Sequence, residues 1–215
     1  MCGIVGYSGS QDAIYPVLEG LSRLEYRGYD SAGISFQTGD FLETLKREGK
    51  LENLKALVAE KKPKSNIAIG HTRWATHGQV NDLNAHPHQN DFFSIVHNGI
   101  IENAGKLKTF LIEKGYKFRS ETDSETFLNL LTYNFEELQD TRLAIIETFK
   151  NIKGNSALVI MRKGENALWA IKRSAPLVCG FNEQTREVYV SSDPYALVGF
   201  AQKIYFPEDE ILCEC

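Results

Sequence analysis

The sequence predicts an α+β fold in which two antiparallel β-sheets pack against each other and helices cover them. Apolar, strand-like segments come first, helical segments occupy the middle of the chain, and a run of strand-like segments follows. Short turns join several of the later strands, which favours antiparallel pairing. Strands and helices do not alternate along the chain, and this order argues against a doubly wound parallel sheet.

The first third of the chain contributes strands and two helices. The segment CGIVGYS is short, apolar and β-branched at its centre, so it predicts a strand. Residues 12–28 place apolar side chains at helical spacing, and Pro16 falls near the first turn, where proline is tolerated. AGISFQT and FLETLKREG predict two strands around a turn at Gly39-Asp40. A short amphipathic helix is expected from Leu51 onward, ending before Pro63.

The remaining two thirds contain three helices between groups of strands. NIAIGHTRW and FFSIVHNG predict buried strands that end in polar, glycine-containing loops. Helices are expected at about 103–115, 123–137 and 141–152. The later strand-like segments are ALVIMRK, ALWAIKR, PLVCGF, EVYVSS, QKIYFP and EILCE.

Composition and charge exclude several classes of protein. The 215 residues are enough for one domain with a substantial core, and 42% hydrophobic residues with 24% charged residues are typical of globular proteins. A net charge of −4 offers no basic face for nucleic acid. No apolar run approaches the roughly 20 residues of a membrane span, and the first residues lack the basic region of a signal peptide. We therefore expect a cytoplasmic protein with reduced cysteines.

The sequence motifs of common cofactor and metal sites are missing. GxGxxG, GxxxxGKS/T and GxSxG do not occur, so no dinucleotide, P-loop or hydrolase-elbow site is predicted. The histidines crowd residues 71–97 without an HExxH frame, and hydrogen-bonding roles are the simpler interpretation. Cys213 and Cys215 form a CxC tail, which supplies two of the four ligands of a structural metal site. We expect no cofactor and no metal.

A cysteine stands at position 2, directly after the initiator methionine. If Met1 is removed, Cys2 carries both a thiol nucleophile and a free α-amine that can act as its base. An ordinary α-amine has a pKa of about 7.7–8.0, so part of it is neutral near pH 7. On position alone, a buried strand cysteine in an apolar run remains the alternative.

Three further groups suit the hydrolysis of an amino-acid amide. Asn98-Gly99 offers a side-chain NH₂ and a backbone N–H to a tetrahedral oxyanion, each donor being worth about 3 kcal/mol. Arg73 can bind a carboxylate through two hydrogen bonds, and Asp123 can pair with an ammonium group. Each has a plainer alternative: a turn for Asn98-Gly99, a surface ion pair for Arg73 and a helix cap for Asp123. The other candidates for that cap are Ser120, Thr122 and Ser124.

Six stretches together resemble one known family. They are MCGIVG, RLEYRGYDSAGI, GHTRWATHG, NAHPH, VHNGIIEN and SETDSE. In order, and over the whole chain, they resemble the glutaminase domain of the glucosamine-6-phosphate synthases, the glutamine–fructose-6-phosphate amidotransferases. That domain belongs to the class II, N-terminal-nucleophile amidotransferases. CGIVG alone indicates only the wider amidotransferase group, whereas EYRGYDSAG together with GHTRWATHG is much more specific.

The resemblance implies a fold, a reaction and a single domain over residues 1–215. The fold is the four-layer α/β/β/α sandwich of the N-terminal nucleophile hydrolases. The reaction is hydrolysis of L-glutamine to L-glutamate and ammonia through a γ-glutamyl thioester on Cys2, after loss of Met1 and without a cofactor. The ammonia serves the conversion of fructose 6-phosphate to glucosamine 6-phosphate.

The resemblance also implies roles for individual residues. Asn98 and Gly99 form the oxyanion hole, and Arg27 helps to orient the Asn98 side chain. Arg73 and Asp123 hold the carboxylate and the ammonium of glutamine. A glutamine loop that closes over the substrate consists of Arg73, Trp74, Ala75, Thr76 and His77.

The two sugar-isomerase domains of the family are not expected within these 215 residues. The partner implied is therefore a sugar-isomerase domain, in the full-length enzyme or as a separate chain.

Two alternative functions stay open. One is the glutaminase half of another class II amidotransferase with a different acceptor, which EYRGYDSAG argues against. The other is a non-catalytic glutamine-binding module that keeps Arg73 and Asp123 and retains Met1.

Overall fold

The computed structural model describes residues 2–74 and 79–215 of the chain. In chain order, the strands of this part are β1 (Gly3–Ser8), β2 (Ser31–Thr38), β3 (Phe41–Glu48), β4 (Ile67–Arg73), β5 (His88–Gln89), β6 (Phe93–Gly99), β7 (Ser156–Arg162), β8 (Leu168–Arg173), β9 (Val178–Asn182), β10 (Glu187–Ser191), β11 (Lys203–Tyr205) and β12 (Cys213–Glu214). The α-helices are α1 (Ile14–Leu24), α2 (Leu51–Lys61), α3 (Ala104–Glu113), α4 (Asp123–Leu138) and α5 (Thr141–Asn151).

The strands form two sheets with the predicted antiparallel pairing. One sheet has seven strands in the order β11-β9-β10-β1-β4-β2-β3, and the other has five in the order β12-β8-β7-β6-β5. Helices α1 and α2 pack on the larger sheet, and α4, flanked by α3 and α5, packs on the smaller. An apolar layer that includes Ile4, Ile69, Val96 and Val159 fills the space between the sheets. These four layers confirm the predicted α/β/β/α sandwich.

Local structure departs from the sequence prediction at three short elements. Helix α1 ends at Leu24, and residues 25–27 form a 3₁₀ turn instead of a continuing helix. The turn brings Gly28 against the neighbouring strand, where a Cβ would lie 2.6 Å from the Arg73 carbonyl carbon, so only glycine fits. Strand β5 and a second 3₁₀ turn at 194–197 are too short to leave a periodic pattern in the sequence.

The polar ends of three strands meet at one edge of the layer between the sheets. Side chains alternate along a strand, so residues two positions apart face the same side. The apolar residues that face the layer near these strand ends are Ile4, Ile69 and Val96. Two positions from these apolar residues, toward the strand ends and on the same faces, the chain carries Cys2, His71 and Asn98. The strand pattern therefore gathers these three residues at one end of the sandwich.

Within residues 2–74 and 79–215, none of the helices combines the length and apolar character needed to cross a membrane.

Candidate active site

Cys2 precedes a strand that is fixed on both sides. Strand β1 lies between β10 and β4 in the larger sheet. The Ile4 amide donates to Ser192 Oγ at 3.0 Å, and the Ile4 carbonyl accepts from Ser191 Oγ at 2.9 Å and from the Ser192 amide at 3.1 Å. These bonds hold the chain two residues from the thiol, so the position of Cys2 follows from the backbone of the sheet.

The thiol of Cys2 lies against the end of β4. The Trp74 amide donates to Cys2 Sγ at 3.2 Å, and the Trp74 carbonyl lies 3.6 Å from the same sulfur. Burial raises the pKa of the Cys2 thiol, and the hydrogen bond from the Trp74 amide opposes this effect only in part. The thiol is therefore protonated at neutral pH, and a reaction at this sulfur needs a base.

The side-chain amide of Asn98 is held in one orientation. Its Nδ2 donates to the Cys2 carbonyl at 3.0 Å, and its Oδ1 lies 3.0 Å from His71 Nε2. A carbonyl oxygen can only accept, so Nδ2 must face Cys2 and Oδ1 must face His71. His71 Nε2 therefore carries the proton. The second Nδ2 hydrogen of Asn98 is left for another acceptor.

His71 is suited to this role because it stays neutral. The side chain is fully buried, and burial lowers its pKa to about 3. The sequence predicts only a hydrogen-bonding role for His71 and does not identify this residue as part of the site. The signal was present in β4, where His71 follows Ile69 on the face that lines the layer between the sheets.

Gly99 ends β6 in a conformation that only glycine adopts easily. Its φ is +140°, and a Cβ would lie 2.0 Å from the Asn155 carbonyl oxygen. The next amide, of Ile100, donates to that same oxygen at 3.0 Å. The chain therefore turns sharply at Gly99 and leaves the backbone beside Asn98 close to Cys2.

A small cavity of about 40 Å³ is lined by Arg73 and Asp123 together with Cys2 and Gly99. Arg73 is buried, and its Nη1 donates to the Gln79 carbonyl at 3.3 Å. Asp123 is the first residue of α4 and not its N-cap, which is Thr122. Its Oδ2 accepts from the Ile101 amide at 2.6 Å. The alternative of a surface ion pair does not fit Arg73, because this side chain is buried. The alternative of a helix N-cap does not fit Asp123, because Thr122 is the N-cap.

A larger cavity of about 290 Å³ is also lined by Cys2, Asn98 and Gly99. Trp74, which is 47% exposed, contributes to its wall and packs edge-on to Tyr29 at 5.4 Å between ring centroids. The rest of the wall comes from Arg27, Ile100 and residues 174–176. The two cavities share Cys2, Trp74 and Gly99.

Arg27 lines the larger cavity but is bound to other groups. Its Nη2 pairs with Asp193, and its Nε donates to the Tyr26 hydroxyl at 3.1 Å. Burial opposes ionisation of Asp193, but the Tyr195 amide and Arg27 outweigh it and lower the pKa of that carboxyl. The Asn98 amide, by contrast, is held by Cys2 and His71. The orienting role of Arg27 toward Asn98 stays a prediction. Thr76 and His77, together with Ala75 and Met1, lie outside the described residues.

Four histidines form a buried layer behind the site. His71 stacks on His86 with 4.4 Å between ring centroids, and His86 meets His88 edge-on at 4.6 Å. Ser124 Oγ, next to Asp123, lies 2.8 Å from both His86 Nε2 and His97 Nδ1. These contacts match the hydrogen-bonding interpretation. Across the described parts of the chain, no three His, Cys, Asp or Glu side chains are placed to hold a metal ion.

Comparisons with known proteins identify the family of the chain. A family described as glutamine amidotransferase domain matches residues 71–199. Glutamine–fructose-6-phosphate aminotransferase (isomerizing) of Clostridium acetobutylicum is 44% identical over 214 residues, which cover 98% of this chain and 34% of that protein. The Clostridium perfringens protein of the same name is 42% identical, with the same coverage.

A solved structure extends the likeness to the fold. Glutamine phosphoribosylpyrophosphate amidotransferase from B. subtilis superposes with a TM-score of 0.82 at 25% identity, covering 99% of this chain and 48% of that one. The chain thus spans about a third of the length of the curated relatives and about half of this structure. Together, the match over residues 71–199 and the shared fold show that the chain belongs to the glutamine amidotransferase domain family.

Proposed function

We propose that the chain hydrolyses L-glutamine to L-glutamate and ammonia through a γ-glutamyl thioester on Cys2. In this proposal, residues 1–215 are the glutaminase domain of a glutamine–fructose-6-phosphate aminotransferase. The observation that carries it is the convergence of Cys2, the Asn98 amide and Gly99 on a space that continues to Arg73 and Asp123. The names of the relatives at 44% and 42% identity support the same reaction.

Substrate binding rests on two groups of opposite charge. Arg73 binds the α-carboxylate of glutamine, and Asp123 binds its α-ammonium group. Both side chains line the small cavity next to Cys2, so the amide end of the bound amino acid points toward the thiol.

Acylation uses both functions of Cys2. After Met1 is removed, the free α-amine takes the thiol proton, directly or through a water molecule, and the sulfur attacks the δ-carbon of glutamine. The carbonyl oxygen becomes an oxyanion that accepts hydrogen bonds from the free Nδ2 hydrogen of Asn98 and the Gly99 amide. The C–N bond then breaks, and the α-ammonium group returns its proton to the departing nitrogen, which leaves as ammonia.

Deacylation repeats these steps with water. The α-amine takes a proton from a water molecule, whose oxygen attacks the thioester carbon, and the same oxyanion donors stabilise the second tetrahedral intermediate. The C–S bond breaks, the thiol regains its proton, and glutamate leaves. In total, one glutamine and one water molecule give one glutamate and one ammonia.

The relative at 44% identity is about three times as long as this chain, which covers 34% of it. We propose that a sugar-isomerase domain binds fructose 6-phosphate and uses the ammonia. The 215-residue chain alone should then form no glucosamine 6-phosphate, and fructose 6-phosphate should leave its glutaminase rate unchanged. Amino-sugar formation, or a several-fold faster glutaminase rate with fructose 6-phosphate, would contradict this division of labour.

The test of the glutaminase proposal combines intact mass with turnover. We expect the purified chain to lack Met1, to release glutamate and ammonia from glutamine, and to lose this activity on Cys2→Ala substitution. Glutamine binding, followed by calorimetry, should survive in that variant because Arg73 and Asp123 remain. Cys213→Ala is the matched control, because Cys213 is also a partly exposed cysteine but takes no part in the proposed reaction. A retained Met1 would favour a glutamine-binding module, and residual Cys2→Ala turnover above a tenth of wild type would exclude Cys2 as the nucleophile.

A further inference from the structure

Three cysteines that the proposed reaction does not use lie together, away from Cys2. Cys179 stands on β9, and Cys213 and Cys215 belong to the tail that contains β12. Cys215 Sγ lies 3.7 Å from Cys179 Sγ, although the two residues are 36 positions apart in the chain. All are free thiols in the structure.

The backbone holds this pair of sulfur atoms from both sides. The Cys215 amide donates to the Leu168 carbonyl at 2.7 Å, and the Leu168 amide donates to the Cys215 carbonyl at 2.6 Å. Cys179 is fully buried on a strand paired on both edges, opposite Val190 on β10 and Tyr205 on β11. Leu168 belongs to the smaller sheet and Cys179 to the larger one. The two thiols therefore face each other because both sheets place them there.

We propose that Cys179 and Cys215 are an oxidation site, at which a low-molecular-weight disulfide converts the two thiols into an intrachain disulfide that joins the sheets. Their sulfur atoms must approach from 3.7 Å to about 2.05 Å, a movement that side-chain rotation of the tail residue can supply. Cys215 is the better partner for Cys179 because their sulfur atoms already form a hydrogen bond. The proposal does not depend on the glutaminase reaction.

The exchange proceeds in two balanced steps. Cys215 is partly exposed and meets the reagent first, whereas Cys179 is shielded. The Cys215 thiolate attacks the small disulfide, forms a mixed disulfide and releases one small thiol. The Cys179 sulfur, as it loses its proton, then attacks the Cys215 sulfur and releases the second small thiol. Two protein S–H groups and one small disulfide thus become one protein disulfide and two small thiols. The interaction with Cys179 lowers the pKa of the Cys215 thiol, which favours this order of attack.

The tail that carries Cys215 also holds part of the active-site wall. The Ser174 amide donates to Asp209 Oδ2 at 2.9 Å, and the Glu210 amide donates to the Lys172 carbonyl at 2.7 Å. Ser174 lines the larger cavity beside Cys2. A disulfide at Cys215 would therefore restrain the segment that supports this wall.

The test treats the folded 215-residue chain with oxidised glutathione and follows the masses of its cysteine-containing peptides, so that any reaction at Cys2 is scored separately. We expect a cross-linked peptide that contains Cys179 and Cys215, lighter by two hydrogen atoms than the two free peptides together, and no glutathione retained on either residue. The melting temperature should rise by roughly 5 °C or more, since the bond closes a long loop in the unfolded chain, and dithiothreitol should reverse the rise. Hydrogen exchange at the Ser174 amide should slow in the oxidised form.

Single substitutions distinguish the pair of Cys179 and Cys215 from the neighbouring Cys213. Cys213→Ser should oxidise as the parent does, Cys179→Ser should stop at a glutathione adduct on Cys215, and Cys215→Ser should give no cross-link. If Cys179→Ser does not fold, Cys215→Ser still tests the site because it changes a partly exposed tail residue. A cross-link through Cys213, a persistent adduct on Cys215 in the parent, or no reaction at either thiol would each overturn the proposal.

Discussion

At the scale of single residues, the site depends on the orientation of one amide. Asn98 points its NH₂ toward Cys2 because His71 donates to its Oδ1 from the other side. If the amide turned over, an oxygen atom would face the developing oxyanion and repel it. The proposed reaction thus depends on two residues that do not react themselves.

Replacing the donor itself should affect the transition state and not the bound substrate. We expect Asn98→Ala to lower kcat by roughly 10²–10³ with little change in KM, because the oxyanion exists only during reaction. Steady-state glutaminase kinetics measure both constants. A change confined to KM would instead make Asn98 a substrate-positioning residue.

The role of His71 as a positioning residue predicts a graded response. His71→Leu cannot donate to Asn98 Oδ1 and should lower kcat about tenfold or more, with KM nearly unchanged. His71→Gln keeps an N–H donor and should recover part of the rate. Thermal unfolding of both variants is the control for folding. Equal kcat values in two equally folded variants would mean that His71 only fills space.

Arg73 and Asp123 should set the amino-acid selectivity of the site. Glutamine analogues that lack the α-carboxylate or the α-amine should bind far more weakly, because each leaves a charged side chain of the cavity without its partner. Competition with glutamine measures their affinities. Simple amides accepted as readily as glutamine would contradict both assignments.

At the scale of elements, the ends of three strands, β1, β4 and β6, position the residues of the site. Strand β6 shows the constraint most clearly, because it ends at a residue with φ +140° at which an added Cβ would lie 2.0 Å from the Asn155 carbonyl oxygen. Sharp turns of this kind place polar groups at strand ends without lengthening the loop.

The end of β6 should tolerate no side chain at Gly99. Gly99→Ala must relieve both the positive φ and a Cβ placed 2.0 Å from a carbonyl oxygen, so we expect a loss of about 2 kcal/mol or more in unfolding free energy. Gly105→Ala is the matched control. Its Cβ would meet nothing within 4 Å in α3, and alanine there should be neutral or stabilising by up to about 1 kcal/mol. Urea unfolding compares the two variants, and equal stabilities would contradict the strain at Gly99.

At the scale of the whole molecule, four buried histidines link stability to pH. Burial lowers the pKa of His71 to about 3 and also lowers the pKa values of His86, His88 and His97. In the unfolded chain, histidine titrates near pH 6.5. Below that pH the unfolded state binds more protons than the native state, so acid favours unfolding.

The free energy of unfolding should therefore fall between about pH 7.5 and about pH 5.5. Each histidine that stays neutral in the native state contributes a slope of about 1.4 kcal/mol per pH unit below pH 6.5, so the combined loss should reach several kcal/mol. Lys46, whose pKa burial lowers to about 8, titrates above this window. Urea unfolding at the two pH values is the measurement, with an unchanged m-value as the control for a common transition. Equal stability at both pH values would show that the histidines titrate normally in the native state.

The sequence by itself determined the order and type of nearly all the elements, because periodicity, turns and capping are local signals. The hairpin turn at Gly39-Asp40, the end of α2 before Pro63 and the antiparallel later strands all appear as predicted. The residues proposed for the site also came from the sequence, since Cys2, Arg73, Asn98 and Asp123 stand in distinctive motifs.

Only the tertiary structure decided how these residues are oriented and which others act with them. His71 meets Asn98 from 27 positions away, and Cys215 meets Cys179 from 36 positions away. The alternation of β4 places His71 on the face that lines the layer between the sheets, but the partner of His71 and the partner of Cys215 cannot be read from the sequence, because each contact depends on how the two sheets pack. Burial then raised the pKa of Cys2 and lowered that of His71, since desolvation acts only once the chain has folded around these groups.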